Sequence, residues 1–370
     1  MSAAEVRTIG FPGRYIQGPG ALSLLPAIVV ELGGSRVALV ADAVVRAKLE
    51  PSVSAGFQAS PIGAARWLEF SGECSVAEIE RLVPQAGNCD VIVALGGGKA
   101  IDTAKGIARR LGARLVIAPT IASNDSPTSR LVVLYDEAHR VAGVELLARN
   151  PDVVLVDTAV IAQAPVRFFA AGIGDALSKK FESMQCHQAG GRNFYGTQSL
   201  PTARLLAQHC YDTIVEFGAA ALDRIASSQQ PDECVERVVE ATVLLSGVGF
   251  ESGGLSLAHA LVRGLSPHPV IGRFLHGEMV AFGTLVQLVA EGRPDDELVA
   301  HAQLTRRLGL PVNFAWFDNA APAPHELVEM ARATCSAPYI THLRPATDIE
   351  GVVAALRRAD AIGTQCAKTH

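Results

Sequence analysis

One carboxylate and two imidazoles carry the chemistry this chain could do: Asp175 in Gly174-Asp175-Ala176-Leu177, His259 in Leu257-Ala258-His259-Ala260-Leu261, and His276 in Leu275-His276-Gly277-Glu278. Each lies in a stretch read as helical. Together they form a three-ligand set that suits zinc and leaves a coordination position open for a substrate oxygen. That layout is catalytic rather than structural. The separations 175 to 259 and 259 to 276 match no short metal motif, however, and a lone histidine on a helix is usually a packing residue. Taken singly, each of the three is more often structural than a ligand.

Such residues need a scaffold. The first ~160 residues alternate short β-branched runs with amphipathic stretches, the pattern of a parallel sheet covered by helices. Val37-Ala38-Leu39-Val40, Val91-Ile92-Val93-Ala94-Leu95, Leu115-Val116-Ile117-Ala118 and Val153-Val154-Leu155-Val156 read as buried strands. Helices are expected over Val76 to Val83 and Ala100 to Leu111. Leu131-Val132-Val133-Leu134-Tyr135, followed by the turn-prone Asp136-Glu137, reads as one arm of a hairpin inserted into the sheet. After Asp157 the strand-like runs give way to long 3.6-period stretches, Ser199 to Phe217, Cys234 to Ser246 and Gly277 to Ala290. The break lies near Gln163-Ala164-Pro165, where the proline interrupts the preceding stretch. The expectation is an α/β nucleotide-binding domain over 1–162 and an all-helical, metal-binding domain over 163–370, with the cleft between them as the site.

Composition narrows the partners. A chain of 370 residues with 49% hydrophobic side chains is long enough for two domains, burying roughly three quarters of the unfolded surface. A formal charge of -5 and the lack of a basic run interleaved with aromatics argue against nucleic acid. The apolar run Met279 to Ala290 is polar at Thr284 and Gln287 and shorter than the ~20 residues of a membrane span. It reads as a buried helix, and no membrane partner is expected. Residues Met1 to Gly10 contain Glu5 and Arg7 and no apolar core of a secretory signal, so a cytoplasmic location is expected. Seven cysteines with no Cys-x-x-Cys suit reduced thiols used for packing.

Two features point to a dinucleotide. Leu95-Gly96-Gly97-Gly98-Lys99 joins a buried strand to a helix, and Gly97 and Gly98, lacking side chains, allow backbone N–H groups to approach a pyrophosphate at the positive end of the helix dipole. The string is neither Gly-x-Gly-x-x-Gly nor a Walker A loop, and a tight structural turn is the alternative. Asp42 follows the strand Val37 to Ala41, where a carboxylate can bind an adenosine ribose and repel a 2′-phosphate, favouring NAD over NADP. Its alternative role is to cap the next helix.

Three longer strings bring these signals together: Gly172-Ile173-Gly174-Asp175-Ala176-Leu177, Leu245-Ser246-Gly247-Val248-Gly249-Phe250-Glu251-Ser252-Gly253-Gly254 and His276-Gly277-Glu278-Met279-Val280-Ala281-Phe282-Gly283. They closely resemble the glycerol dehydrogenase branch of the iron-containing alcohol dehydrogenase superfamily. The resemblance runs from Pro12-Gly13-Arg14-Tyr15-Ile16-Gln17-Gly18 to about Leu356. It implies a Rossmann-like α/β N-terminal domain and an all-α C-terminal domain, the architecture of dehydroquinate synthase. Homo-oligomers are implied as well. It also implies that Gly98, Lys99, Thr120, Ser123, Ser129, Leu131 and Tyr135 line NAD, alongside Asp42. Asp125, in the hydroxyl-rich loop Pro119 to Ser129, corresponds to an acid that contacts the polyol, orienting a hydroxyl or relaying its proton. The metal would polarise vicinal hydroxyls and NAD would take the hydride.

The chain departs from this pattern at two cations. Where iron-dependent relatives often place a further histidine ligand, four residues after the aspartate, it has Lys179. A protonated amine is no ligand, so zinc is favoured over iron or another divalent ion. Val262-Arg263 stands where glycerol dehydrogenases have His-Asn. Both cations lie one helical turn after a proposed ligand. The expected arrangement has both extending past the site to solvent or pairing with acids such as Glu182. The other has them attracting a carboxylate, which keeps a 2-hydroxy-acid dehydrogenase as the second reading beside a dehydrogenase of glycerol-like diols. Dehydroquinate synthases are a rival of another class, but carry glutamate where this chain has Asp175. A non-catalytic NAD-binding sensor would not need all three ligand types.

Overall fold

The computed structural model describes residues 6–137 and 139–368, so residues 1–5 of the stretch read for targeting lie outside the described ones. The chain forms two compact units, one of Gly10–Pro165 with Arg224–Leu244, the other of residues 6–9, Val166–Asp223 and the chain from Leu245 onward.

In the first unit six strands make one parallel sheet: β1 (Tyr15–Gly18), β2 (Val37–Ala41), β3 (Ala65–Glu69), β4 (Val91–Gly96), β5 (Arg114–Pro119) and β8 (Val153–Asp157), ordered β1-β8-β5-β4-β2-β3. Strands β2, β4 and β8 are buried along their whole length. A parallel strand covered by helices on both faces needs apolar side chains at every position, hence the unbroken Val, Leu, Ile and Ala runs. β6 (Leu131–Tyr135) and β7 (Val141–Leu146) do form a hairpin, with an irregularity at Leu134/Tyr135, but as a separate antiparallel pair outside the six-stranded sheet. Its second strand alternates exposed and half-buried residues, so it has one covered face only. The segment Arg224–Leu244 is tied in by Glu236, whose carboxylate accepts from Gln17 Nε2 at 2.7 Å and from Thr158 Oγ1.

The second unit is helical. The stretch expected at Ser199 to Phe217 is realised as Pro201–Ser228, and Gly277 to Ala290 as His276–Ala290. The stretch Cys234 to Ser246, which begins in the first unit and ends in the second, is not one helix: Glu233–Glu240 widens into a π turn at Ala241–Leu245 before Ser246–Gly253 begins. Leu257, Leu261 and Leu265 from one helix pack with Phe282, Leu285 and Val286 from another in the core of this unit. Met279 to Leu288 is buried throughout, and among the described residues no single helix is long and apolar enough to cross a membrane. All seven cysteines are free, and burial pushes Cys74 and Cys186 up to about 12. Neither is a thiolate nucleophile at neutral pH.

Candidate metal centre and dinucleotide site

Asp175 closes the helix Val166–Leu177, and His276 opens the helix His276–Ala290. What brings them together is the absence of a side chain beside each. A Cβ on Gly277 would meet Ala171 O at 1.7 Å, and one on Gly174 would meet Gly277 O at 2.4 Å. The two helices therefore touch backbone to backbone at the ligand level, which only glycine permits. His259 comes from the helix Leu257–Leu265, whose first N–H groups have no partner within their own helix. Buried side chains satisfy them: Gln287 Oε1 accepts from Ala258 N at 2.9 Å, and Glu182 Oε1 accepts from Ser256 N at 2.8 Å and His259 N at 3.0 Å.

The result is a cluster in which one atom each of Asp175, His259 and His276 lies within 4.8 Å of the others. Asp175 Oδ1 is 3.2 Å from His259 Nε2 and 3.8 Å from His276 Nε2. Asp175 Oδ2 is buried without a hydrogen-bond partner, an arrangement that costs free energy unless a ligand completes it. The donor set, its closeness and that orphaned oxygen fit a divalent metal.

Electrostatics hold the cluster together. Against desolvation, which opposes charge, the Lys179 ammonium and then the two imidazoles keep the Asp175 carboxyl well below the usual carboxylate range. Desolvation likewise opposes protonation of His259, yet Glu182 and Asp175 raise it to about 9. The His276 ring is 42% exposed, but its Nε2 lies 3.8 Å from the fully desolvated Asp175 carboxylate. Desolvation, with the charges of His259 and Lys179, holds it below its ordinary value despite Asp175.

Two contacts here differ from the sequence reading or were missed by it. Lys179 does not reach solvent: it is fully buried, its Nζ donating to Asp175 Oδ1 at 2.6 Å and lying 3.2 Å from His259 Nε2. Arg263, by contrast, is exposed as expected. Glu182 is not the partner of a solvent-facing lysine; its Oε2 takes the His259 Nδ1 proton at 2.6 Å, fixing ring orientation and leaving Nε2 toward Asp175. The signal was present, since Asp175, Lys179 and Glu182 fall at i, i+4 and i+7, one face of a helix.

The dinucleotide candidates gather in the α/β unit. Asp42, Gly97 and Thr120 each follow the last residue of β2, β4 and β5, three adjacent strands. The carboxyl ends of such strands are where open α/β sheets bind ligands. Gly97 N-caps the helix Gly98–Leu111, and a Cβ on Gly98 would meet Asn124 Nδ2 at 2.5 Å. Asp42 is half-buried and caps the helix Ala43–Gln58 through Val45 N at 2.8 Å, so the capping role is realised with one oxygen. Lys99 pairs with Glu73 at 2.7 Å and sits 4.9 Å from the Tyr135 ring centroid. Thr120 is buried and Ser123 half-buried. Ser129 Oγ and Leu131 O both accept from the buried Lys105 Nζ, at 3.3 and 2.7 Å. Lys105 also contacts Asp102 and Ser126, and Asp102 Oδ1 accepts from Ser126 Oγ at 2.6 Å. Asp125, half-buried, precedes the short turn Ser126–Thr128 that this pair anchors. Lys105 and Asp102 are not distinguished in the sequence, because the helix Gly98–Leu111 carries several other charged residues and only burial sets this pair apart.

With this geometry in place, comparison with known proteins decides the family. A family model described as iron-containing alcohol dehydrogenase matches residues 12–158. Over 361 residues the chain is 40% identical to the glycerol dehydrogenase of Escherichia coli O6:H1, covering 96% of this chain and 97% of that one. The chain belongs to the iron-containing alcohol dehydrogenase family. The solved structure of glycerol dehydrogenase from Schizosaccharomyces pombe superposes with a TM-score of 0.93 at 31% identity, covering 99% of this chain and 93% of that one. That of a probable glycerol dehydrogenase from Sinorhizobium meliloti 1021 gives 0.90 at 36%, covering 97% and 100%. As a family member the protein is an NAD-dependent alcohol oxidoreductase with an α/β nucleotide-binding part and a helical part.

Proposed function

We propose that this enzyme oxidises glycerol or a related vicinal diol to the hydroxyketone with NAD, using a metal, zinc by preference, held by Asp175, His259 and His276. The observation that carries the metal is the convergence of those three side chains around an orphaned Asp175 oxygen. The observation that carries the polyol is full-length similarity, at 38–40% identity, to several glycerol dehydrogenases; it does not favour the hydroxy-acid reading. Three protein ligands with an open position suit zinc.

When bound, the metal supplies Lewis acidity that lowers the pKa of a hydroxyl, and NAD supplies the hydride acceptor. The protein does the rest by positioning. Glu182 holds His259 in one orientation, and the Gly174–Gly277 contact sets the spacing of Asp175 and His276. Asp42 would receive the adenosine ribose, and Gly97 and Gly98 would let backbone approach the pyrophosphate, with Lys99, Thr120, Ser123, Ser129, Leu131 and Tyr135 as the residues that would surround the cofactor. Lys105 and Asp102 fix the turn after Asp125, which orients a substrate hydroxyl or relays its proton.

A panel of glycerol, 1,2-propanediol and 2-hydroxybutyrate, followed by NADH absorbance with zinc-loaded protein, tests this reading. The diols are expected to turn over and the hydroxy acid to lag; the reverse order would exclude a polyol enzyme. The same assay with NADP reads Asp42. Wild type is expected to prefer NAD and Asp42→Ala to narrow the ratio by tenfold or more, because a like charge beside a 2′-phosphate costs a few kcal/mol. Loss of the cap should also cost about 1 kcal/mol of stability. Equal kcat/KM for both cofactors in wild type would remove Asp42 from this role.

A further inference from the structure

Lys179 places a cation in the middle of the proposed metal ligands. Its Nζ donates to Asp175 Oδ1 at 2.6 Å and lies 3.2 Å from His259 Nε2. These are the same two atoms that stand 3.2 Å apart at the heart of the cluster. Of the three ligand side chains, two are therefore already engaged, and the amine that engages them is fully buried.

Asp175 and Glu182 are the buried acids, and Lys179 and His259 are the bases that face them. Nζ, 3.2 Å from Nε2, stands on the side of the ring that a metal would use. His259 Nδ1 is committed to Glu182 at 2.6 Å. Nε2 is thus the one ring nitrogen left for a metal, and it has a single lone pair. That lone pair cannot serve Lys179 and a metal at once. Nor can a divalent ion enter beside an ammonium sharing its carboxylate without strong repulsion in so desolvated a place.

The inference rests on the reading of Asp175, His259 and His276 as metal ligands. We propose that Lys179 is an internal cation that holds this ligand set in the metal-free protein, gives way when metal binds, and so sets the metal affinity of the centre. Its butyl stem lets the ammonium move by side-chain rotation alone. The Phe250 ring, whose centroid is 5.7 Å from Nζ, already bounds the amine with an aromatic face. A short neutral residue at this position would leave the ligands without an internal partner but also without a competitor.

The test compares full-length wild type with Lys179→Met and Lys179→Gln, both of which keep much of the stem. Zinc affinity is measured by competition with a chromophoric chelator, and thermal melting is followed with and without zinc. Both variants are expected to bind zinc at least tenfold more tightly than wild type. Their metal-free forms should melt lower, because Asp175 loses its counter-charge, and zinc should raise their melting temperature by more than it raises that of wild type. Zinc affinities equal within twofold, or weaker in the variants, would overturn the proposal while leaving the metal centre standing. Zinc binding to none of the three proteins would overturn both. A crystal structure of zinc-loaded wild type decides the matter without any variant. Nζ withdrawn from Asp175 Oδ1 and His259 Nε2 supports displacement; Nζ retained there, or found as a ligand of the zinc, overturns it.

Discussion

Replacing His276 with alanine is expected to empty the metal site and lower kcat/KM for diol oxidation by about 10³-fold or more, while the protein stays folded. A bound metal contributes several kcal/mol of transition-state charge stabilisation, and each ~1.36 kcal/mol is a factor of ten in rate. Fold and metal separate cleanly at this position because the ring is 42% exposed, where truncation alone costs little stability. NAD affinity should change no more than a few-fold, since Asp42, Gly97, Gly98 and Thr120 belong to the other unit. The check is threefold: zinc content by elemental analysis, NAD binding by fluorescence titration, and turnover. A His276→Ala protein that retains a full equivalent of zinc would show that His276 is not a ligand.

The second large effect is expected from a residue that never touches the metal. Glu182→Gln preserves size and, through its amide oxygen, the bonds from Ser256 N and His259 N that Glu182 Oε1 now accepts at 2.8 and 3.0 Å. Its NH₂ then faces His259 Nδ1, where Oε2 now accepts a proton. Two donors cannot share that contact, so Nδ1 gives up its hydrogen and Nε2 acquires one. The nitrogen directed at Asp175 then has no lone pair for a metal. Zinc affinity should fall ten- to hundredfold, the range typical for such supporting partners, with a matching loss of activity that excess zinc partly restores. Rescue by zinc marks a positioning role. An affinity unchanged from wild type would mean that the ring's orientation is set elsewhere.

What the sequence made legible follows from burial. Val37 to Ala41, Val91 to Gly96 and Val153 to Asp157 are covered on both faces and therefore read as unbroken apolar runs. Ala65–Glu69 and Tyr15–Gly18 were not readable as strands, because they form the two edges of the sheet, where Arg66, Glu69 and Gln17 are tolerated. The three candidate ligands were found through the glycine-rich strings around them. The structure gives the reason for those strings: Gly174 and Gly277 are where two helix backbones meet.

Lys179 departs from the expected course to solvent, although a long cationic side chain on a helix usually reaches water. Around it, however, Asp175, Ala176, Leu177, Phe181 and Glu182 are all buried, which leaves the ammonium no exit except toward the carboxylate one turn back. No linear pattern shows that Arg224–Leu244 packs with the α/β unit. That association depends on Glu236 reaching Gln17 and Thr158, residues far away in sequence.

The most direct measurement removes the metal and puts it back. Wild-type protein stripped by chelator, shown metal-free by elemental analysis and mixed with glycerol and NAD, is expected to produce no NADH until about one equivalent of zinc per chain is added, whereupon turnover returns. His276→Ala treated in the same way should stay inactive. Undiminished NADH production by verified metal-free wild-type protein would contradict a metal-dependent oxidation at Asp175, His259 and His276.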